Sequence, residues 1–111
     1  MPPGDQAQAD ERVEVGTLQD VLAALSDPVR LEMVRRMYAG GGPTPCAQLY
    51  DGVSKSTASH HFKILREAGV IDRSVIGGQT HQDLRLEDVE AAYPGVLSSI
   101  LAVRPAPAPQ R

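Results

Sequence analysis

Ser54-Lys55-Ser56-Thr57-Ala58-Ser59-His60-His61-Phe62-Lys63-Ile64-Leu65-Arg66-Glu67-Ala68-Gly69-Val70-Ile71 carries two patterns at once. Ala58, Phe62 and Leu65 recur at spacings of four and three, which puts them on one helical face and turns that face to a core. Ser56, Ser59, His60 and Lys63 fall on the opposite stripe, with Lys55 and Thr57 beside it. Ser54 is a good cap and Gly69 a good left-handed terminator, so the spacing predicts a helix from 54 to 68. A helix with no task beyond packing is better built from Ala, Glu or Lys than from a first turn rich in Ser and Thr. Short polar side chains let a backbone come close to base edges in a major groove. Lys55 and the free amides of the capped start suit a phosphate. Lys55, Ser56, Thr57, Ser59, His60 and Lys63 are therefore the candidate DNA-facing residues.

Upstream, Leu18, Val21, Leu22 and Leu25 mark a first helix that starts near Glu11 or Thr17 and ends at Leu25. Asp27-Pro28 supplies a cap and a first-turn proline for a second helix, 28 to about 38, with Val29, Met33, Val34 and Met37 inward. Gly40-Gly41-Gly42-Pro43 stops it. Thr44 or Pro45 then opens a short third helix, 46 to 50, and Asp51-Gly52 makes a turn. Downstream, 70–76 reads as a strand, Gly77-Gly78 as a hairpin turn and 79–86 as the returning strand. A last helix spans 87–103, with a break expected near Pro94-Gly95. The order is four helices, a two-stranded β-hairpin and a final helix, a mainly α winged helix-turn-helix plan. On the wing, Arg73, Gln79, His81 and Arg85 are candidates for phosphate or minor-groove contacts. Residues 1–10 and the Pro/Ala-alternating 104–111 read as disordered ends around one domain, 11–103.

The single Cys46 excludes an intramolecular disulfide and fits a reducing compartment. No stretch approaches the roughly 20 apolar residues of a membrane span, and the acidic opening is unlike a secretory signal. The expected location is cytoplasmic. The net charge of −3 hides an uneven distribution. Residues 54–85 carry Lys55, Lys63, Arg66, Arg73 and Arg85 against Glu67, Asp72 and Asp83, a local balance of +2 where phosphates would be met.

Residues 26–31 (Ser-Asp-Pro-Val-Arg-Leu) and the stretch 54–71 closely resemble the ArsR/SmtB family of bacterial regulators, and the resemblance covers about residues 17–103. It implies a homodimer that binds an inverted-repeat operator on double-stranded DNA and represses until an effector lowers its affinity. It also implies that the first and last helices build the dimer interface, with Leu18, Val21, Leu22, Leu25, Val96, Leu97, Ile100 and Leu101 as its apolar surface. The wing departs from the family, whose hairpin tip often carries Arg or Lys.

The family's metal sites are also depleted. Paired thiols are reduced to Cys46, and the Asp-x-His pair of the last helix is replaced by Asp88-Val89-Glu90, with no His after His81. Those carboxylates read as exposed groups at a helix start. No metal site is assigned; His81 with Asp83 is the weak candidate, and a transition-metal effector stays open. His61 is expected near the inner face and hydrogen-bonded, and Cys46 as a small buried side chain. Two alternatives remain: a winged-helix module for protein contacts, and a DNA-binding subunit whose sensing is done by a separate partner protein. An enzyme is not expected, since no catalytic constellation or phosphate-cradling loop is present.

Overall fold

A computed structural model describes residues 13–104. The expectations for residues 1–12 and 105–111, the disordered ends and a helix start near Glu11 among them, lie outside the described residues.

Helix α1, Leu18–Leu25, starts where a capping box dictates. Thr17 Oγ1 accepts from the Asp20 amide and Asp20 Oδ2 accepts from the Thr17 amide, each at 3.1 Å. Helix α2, Pro28–Gly40, is capped by Asp27, whose carboxylate accepts from the amides of Val29 and Arg30. Burial acts to raise the Asp27 carboxyl, but those two amide bonds and the charge of Arg30 outweigh it and hold it below its ordinary range. Gly41, in the left-handed conformation, ends α2 as the glycine run requires.

The expected third helix does not form as such. Thr44–Pro45 is a two-residue strand, β1, and only Cys46–Gln48 turns, as a 3-10 turn without a side-chain cap. Pro45 is extended and cannot donate, and so few residues cannot repay the cost of nucleating an α-helix. Helix α3, Lys55–Glu67, follows, capped by Ser54. Strands β2, Ile71–Ile76, and β3, Gln79–Leu84, form the hairpin, and β1 pairs with β3, so the sheet has the order β1-β3-β2. The last helical segment is broken at the expected place into α4, Leu86–Ala92, and α5, Val96–Ala102, with Gly95 left-handed between them. Glu90, expected as an exposed carboxylate at a helix start, instead accepts from the amides of Gly95 and Ser98 and caps α5.

The core is aliphatic, as a chain with one Phe and no Trp demands. Met33, Val34 and Met37 of α2 meet Val21 and Leu25 of α1, Leu49, and Ala58, Phe62 and Leu65 of α3. Val89 and Leu97 join the same core from the terminal helices. Val21, Leu25 and Leu97, expected at a dimer contact, are thus corrected to the interior of the single chain, because each completes the packing of its own domain. Among the described residues no helix is long and apolar enough to cross a membrane.

Gly69 fastens the end of α3 to the segment ahead of α1. Its φ is +79°, and a Cβ there would lie 2.6 Å from the Glu14 carbonyl oxygen. The Gly16 amide next to that crossing donates to the Ala68 carbonyl at 3.0 Å. Gly69→Ala should therefore cost about 2–4 kcal/mol, combining backbone strain with overpacking, and chemical denaturation will measure it. Phe62→Ala should cost about 3–5 kcal/mol by the same measurement; wild-type stability would mean that this ring is not the anchor of α3.

Candidate nucleic-acid interface

Helix α3 places its two stripes as the sequence pattern requires. Ala58, Phe62 and Leu65 are 1%, 4% and 0% exposed, whereas Lys55, Ser56, Thr57, Ser59, His60 and Lys63 are all exposed. At about 100° per residue, Lys55, Ser56, Ser59, His60 and Lys63 share one continuous polar arc. Thr57 sits off its edge, and its hydroxyl accepts from Ser54 Oγ at 3.0 Å. Ser54 Oγ also accepts from the Thr57 amide, so the first turn is held by its own hydroxyls while Ser59 and His60 face outward. Lys63 reaches Glu67 at 4.0 Å, a loose surface pair that leaves its charge available.

The orientation of α3 is fixed by a residue that sequence reading did not single out. Arg30, in the first turn of α2, donates through Nε to the Ala24 carbonyl at 2.7 Å and through Nη2 to the Ala23 carbonyl at 3.4 Å. Its Nη1 lies 3.1 Å from His61 Nδ1. Guanidinium can only donate, so His61 accepts through Nδ1 and carries its proton on Nε2. One side chain thereby closes the C-terminus of α1 and grips α3. The available signal was a cation in the first turn of a helix, where the dipole disfavours it unless another contact holds it.

The wing separates its candidate residues. Arg73 lies directly across from Gln82, on the sheet face continuous with Ile71 and Leu84 that looks toward α3. His81, paired with Ser74, lies on the other face, half-buried, with Nδ1 against the Gln79 carbonyl at 2.9 Å. Gln79 is exposed at the tip, as are the apolar Val75 and Ile76. Arg85 is corrected from a wing contact to a structural cation: only 8% of its side chain is exposed. It donates to Asp88 at 3.0 Å and to the Val13 carbonyl, and lies 3.8 Å from Asp72. Asp83 shares the outer face with His81, and burial together with Asp72 across the ladder pushes its carboxyl up. Among the described residues no group of three or more His, Cys, Asp or Glu side chains could hold a metal ion.

A helix-turn-helix domain model matches residues 25–74. The uncharacterized HTH-type transcriptional regulator YceK of Bacillus subtilis (strain 168) is 30% identical over 95 residues, covering 84% of this chain and 91% of that protein. The chain belongs to the helix-turn-helix transcriptional regulators. An ArsR family transcriptional regulator shares this regulator's fold with a TM-score of 0.59 at 21% identity, covering 78% of this chain and 98% of that one. The transcriptional repressor BigR of Xylella fastidiosa matches with a TM-score of 0.57 at 23% identity, over 78% and 88% of the two chains. The cadmium metal-sensor CmtR of Mycobacterium tuberculosis matches with a TM-score of 0.51 at 26% identity, over 84% and 100%. The regulator therefore has the winged helix-turn-helix architecture of ArsR-family proteins, which bears out the resemblance read from its sequence. Its family consists of DNA-binding transcription factors, not enzymes.

Replacing Arg30 by Leu removes all three of its hydrogen bonds and orphans the Ala24 carbonyl. The expected loss is about 2–3 kcal/mol of stability, with displaced His61 ring resonances; an unshifted His61 spectrum would show that Arg30 does not position α3.

Proposed function

We propose that this regulator is a repressor that binds an inverted-repeat operator as a homodimer and is released or modulated by an effector. The observation that carries the DNA-reading part is the exposed arc of Ser56, Ser59, His60 and Lys63 on the helix whose other side is sealed in the core. Ser59 and His60 are assigned to base edges, and Lys55 and Lys63 to flanking phosphates. Thr57 supports the first turn rather than a base. On the wing, Arg73 is assigned to the side facing α3, and Gln79 and His81 to the tip and outer face.

Dimerisation is supported by apolar surface that the single chain leaves uncovered. Leu18 and Leu22 are 36% and 44% exposed on α1, and Val96, Ile100 and Leu101 of α5 are only half-buried. A two-fold dimer would present two copies of α3 to two half-sites of a palindrome. The repressor reading follows the named activity of one fold neighbour. The cadmium sensed by another has no matching donor set here: Cys46 is the single thiol. The proposed domain runs from 11 to 103, in the cytoplasm.

Selection of bound duplexes from a random pool, followed by titration at several salt concentrations, tests this reading. One inverted-repeat sequence should bind at least about 10³-fold more tightly than random duplex, with affinity falling steeply as salt rises. Ser59→Ala and His60→Ala should each cost about 1–3 kcal/mol in operator binding and relax sequence preference while leaving stability intact. Unchanged selectivity in both variants would remove the base-reading assignment. Leu22→Glu should yield monomers in sedimentation; a persistent dimer would place the interface elsewhere.

A further inference from the structure

Between α3 and the wing lies a cleft of about 660 Å³, within the range of small-molecule sites. Lys55 and Arg66 line it from the helix, Arg73 from the wing, and no acidic side chain faces it. Phosphate contacts to a duplex explain an exposed cation such as Lys55. They do not explain two other features.

The first is Arg66. Its side chain is partly buried, and among the described residues neither it nor Arg73 forms an ion pair or side-chain hydrogen bond. Burial and the neighbouring Arg73 charge push its pKa down, and the weaker attraction of Cys46 and Glu67 does not offset them. Guanidinium does not shed that charge, and within the cleft lining the two cations meet no acidic side chain. The second is Gln82. It is 2% exposed, and its Nε2 donates to Cys46 Sγ at 3.5 Å. Its Oε1 has no partner and almost no accessible surface, although the residue itself lines the cleft. Native interiors leave few such acceptors unanswered. Gln82 and Arg73 are cross-strand partners on the same sheet face, so the unanswered acceptor and the unpaired cation sit side by side.

We propose that this cleft is a binding site for a small organic anion that also carries a hydroxyl or amide donor. Arg66 and Arg73 clasp the anion, and the donor answers Gln82 Oε1 when that side-chain amide turns toward the cleft. Phe62 and Tyr50, packed edge to face with ring centroids 6.2 Å apart, offer an apolar wall for the rest of the ligand. A phosphodiester of DNA supplies the charge but has no donor, so it satisfies the arginines and leaves Gln82 unanswered. Because Lys55 and Ser59 border both the cleft and the DNA-facing arc, an occupant and a duplex compete; that consequence alone rests on the function proposed above.

The test uses the full chain with glycerol 3-phosphate as probe and propyl phosphate, a monoester of the same charge without hydroxyls, as the donor-less control. Calorimetry measures affinity, nitrogen-15 NMR follows the Gln82 side-chain amide, and alkylation of the single Cys46 reports access to the cleft. The expected result is saturable binding of glycerol 3-phosphate, at least about tenfold tighter than propyl phosphate, with a shifted Gln82 amide and slowed alkylation. Arg66→Gln and Gln82→Leu should each weaken it about tenfold, with melting temperatures showing both variants folded. Gln82→Leu removes an unsatisfied group, so its fold is safe. Absence of saturable binding at millimolar probe, or equal binding of both phosphates with Gln82→Leu unchanged, overturns the site; the second outcome leaves a surface for the DNA backbone only. Operator affinity, measured separately, keeps the two readings apart. Anion binding can fail while operator binding stands, and the reverse outcome removes the operator reading while keeping the site.

Discussion

The burial of one side of α3 governs everything else in this molecule. Ala58, Phe62 and Leu65 are removed from water against α1 and α2, and a rigid helix with one face fixed has no freedom in the other. The serine, histidine and lysine arc is presented to solvent because its opposite cannot be. Arg30 adds a polar lock to the hydrophobic one. Its hydrogen bonds to α1 carbonyls and to His61 set the rotation of α3 about its own axis, which sliding aliphatic contacts would define less sharply.

What could be read from the sequence was what local rules decide. The capping residues Asp27 and Ser54, the glycine stop after α2 and the four-and-three spacing in α3 each act within a few residues, and each landed where expected. The third helix failed because its residues are claimed by a distant partner: Thr44 and Pro45 pair with Gln82 and His81 of β3, which no nearby pattern announces. Arg85 was misread for a related reason. A cation at the end of a strand looks like a wing contact until Asp88, Asp72 and the Val13 carbonyl are seen around it. The terminal helices were too generously given to a dimer, since α1 carries apolar residues on two sides and periodicity cannot say which side faces its own domain. Val21 and Leu25 took the inner side, leaving Leu18 and Leu22 outside.

The hairpin likewise divides its labour by face. Toward α3 its polar members are Arg73 and Gln82, away from α3 they are Asp72, Asp83 and His81, and the alternation follows from the pleat alone. A modest positive balance summed along 54–85 therefore understates the local contrast. The cations of the helix and wing meet across the cleft, while the acidic pair is carried on the back of the sheet.

The crossing at Gly69 has a further consequence for how much chain is needed to make the domain. Backbone from Val13 to Gly16 is stitched to the end of α3 through the Ala68 carbonyl, to α4 through the Tyr93 hydroxyl, and to Arg85 through the Val13 carbonyl. A fragment trimmed to the matched helix-turn-helix segment, 25–74, would keep α3 but lose the cord that ties its far end down. The packing around α3 thus draws on backbone from Val13 onward and on Leu97. Helix α3 is anchored in part by residues that lie outside the matched segment.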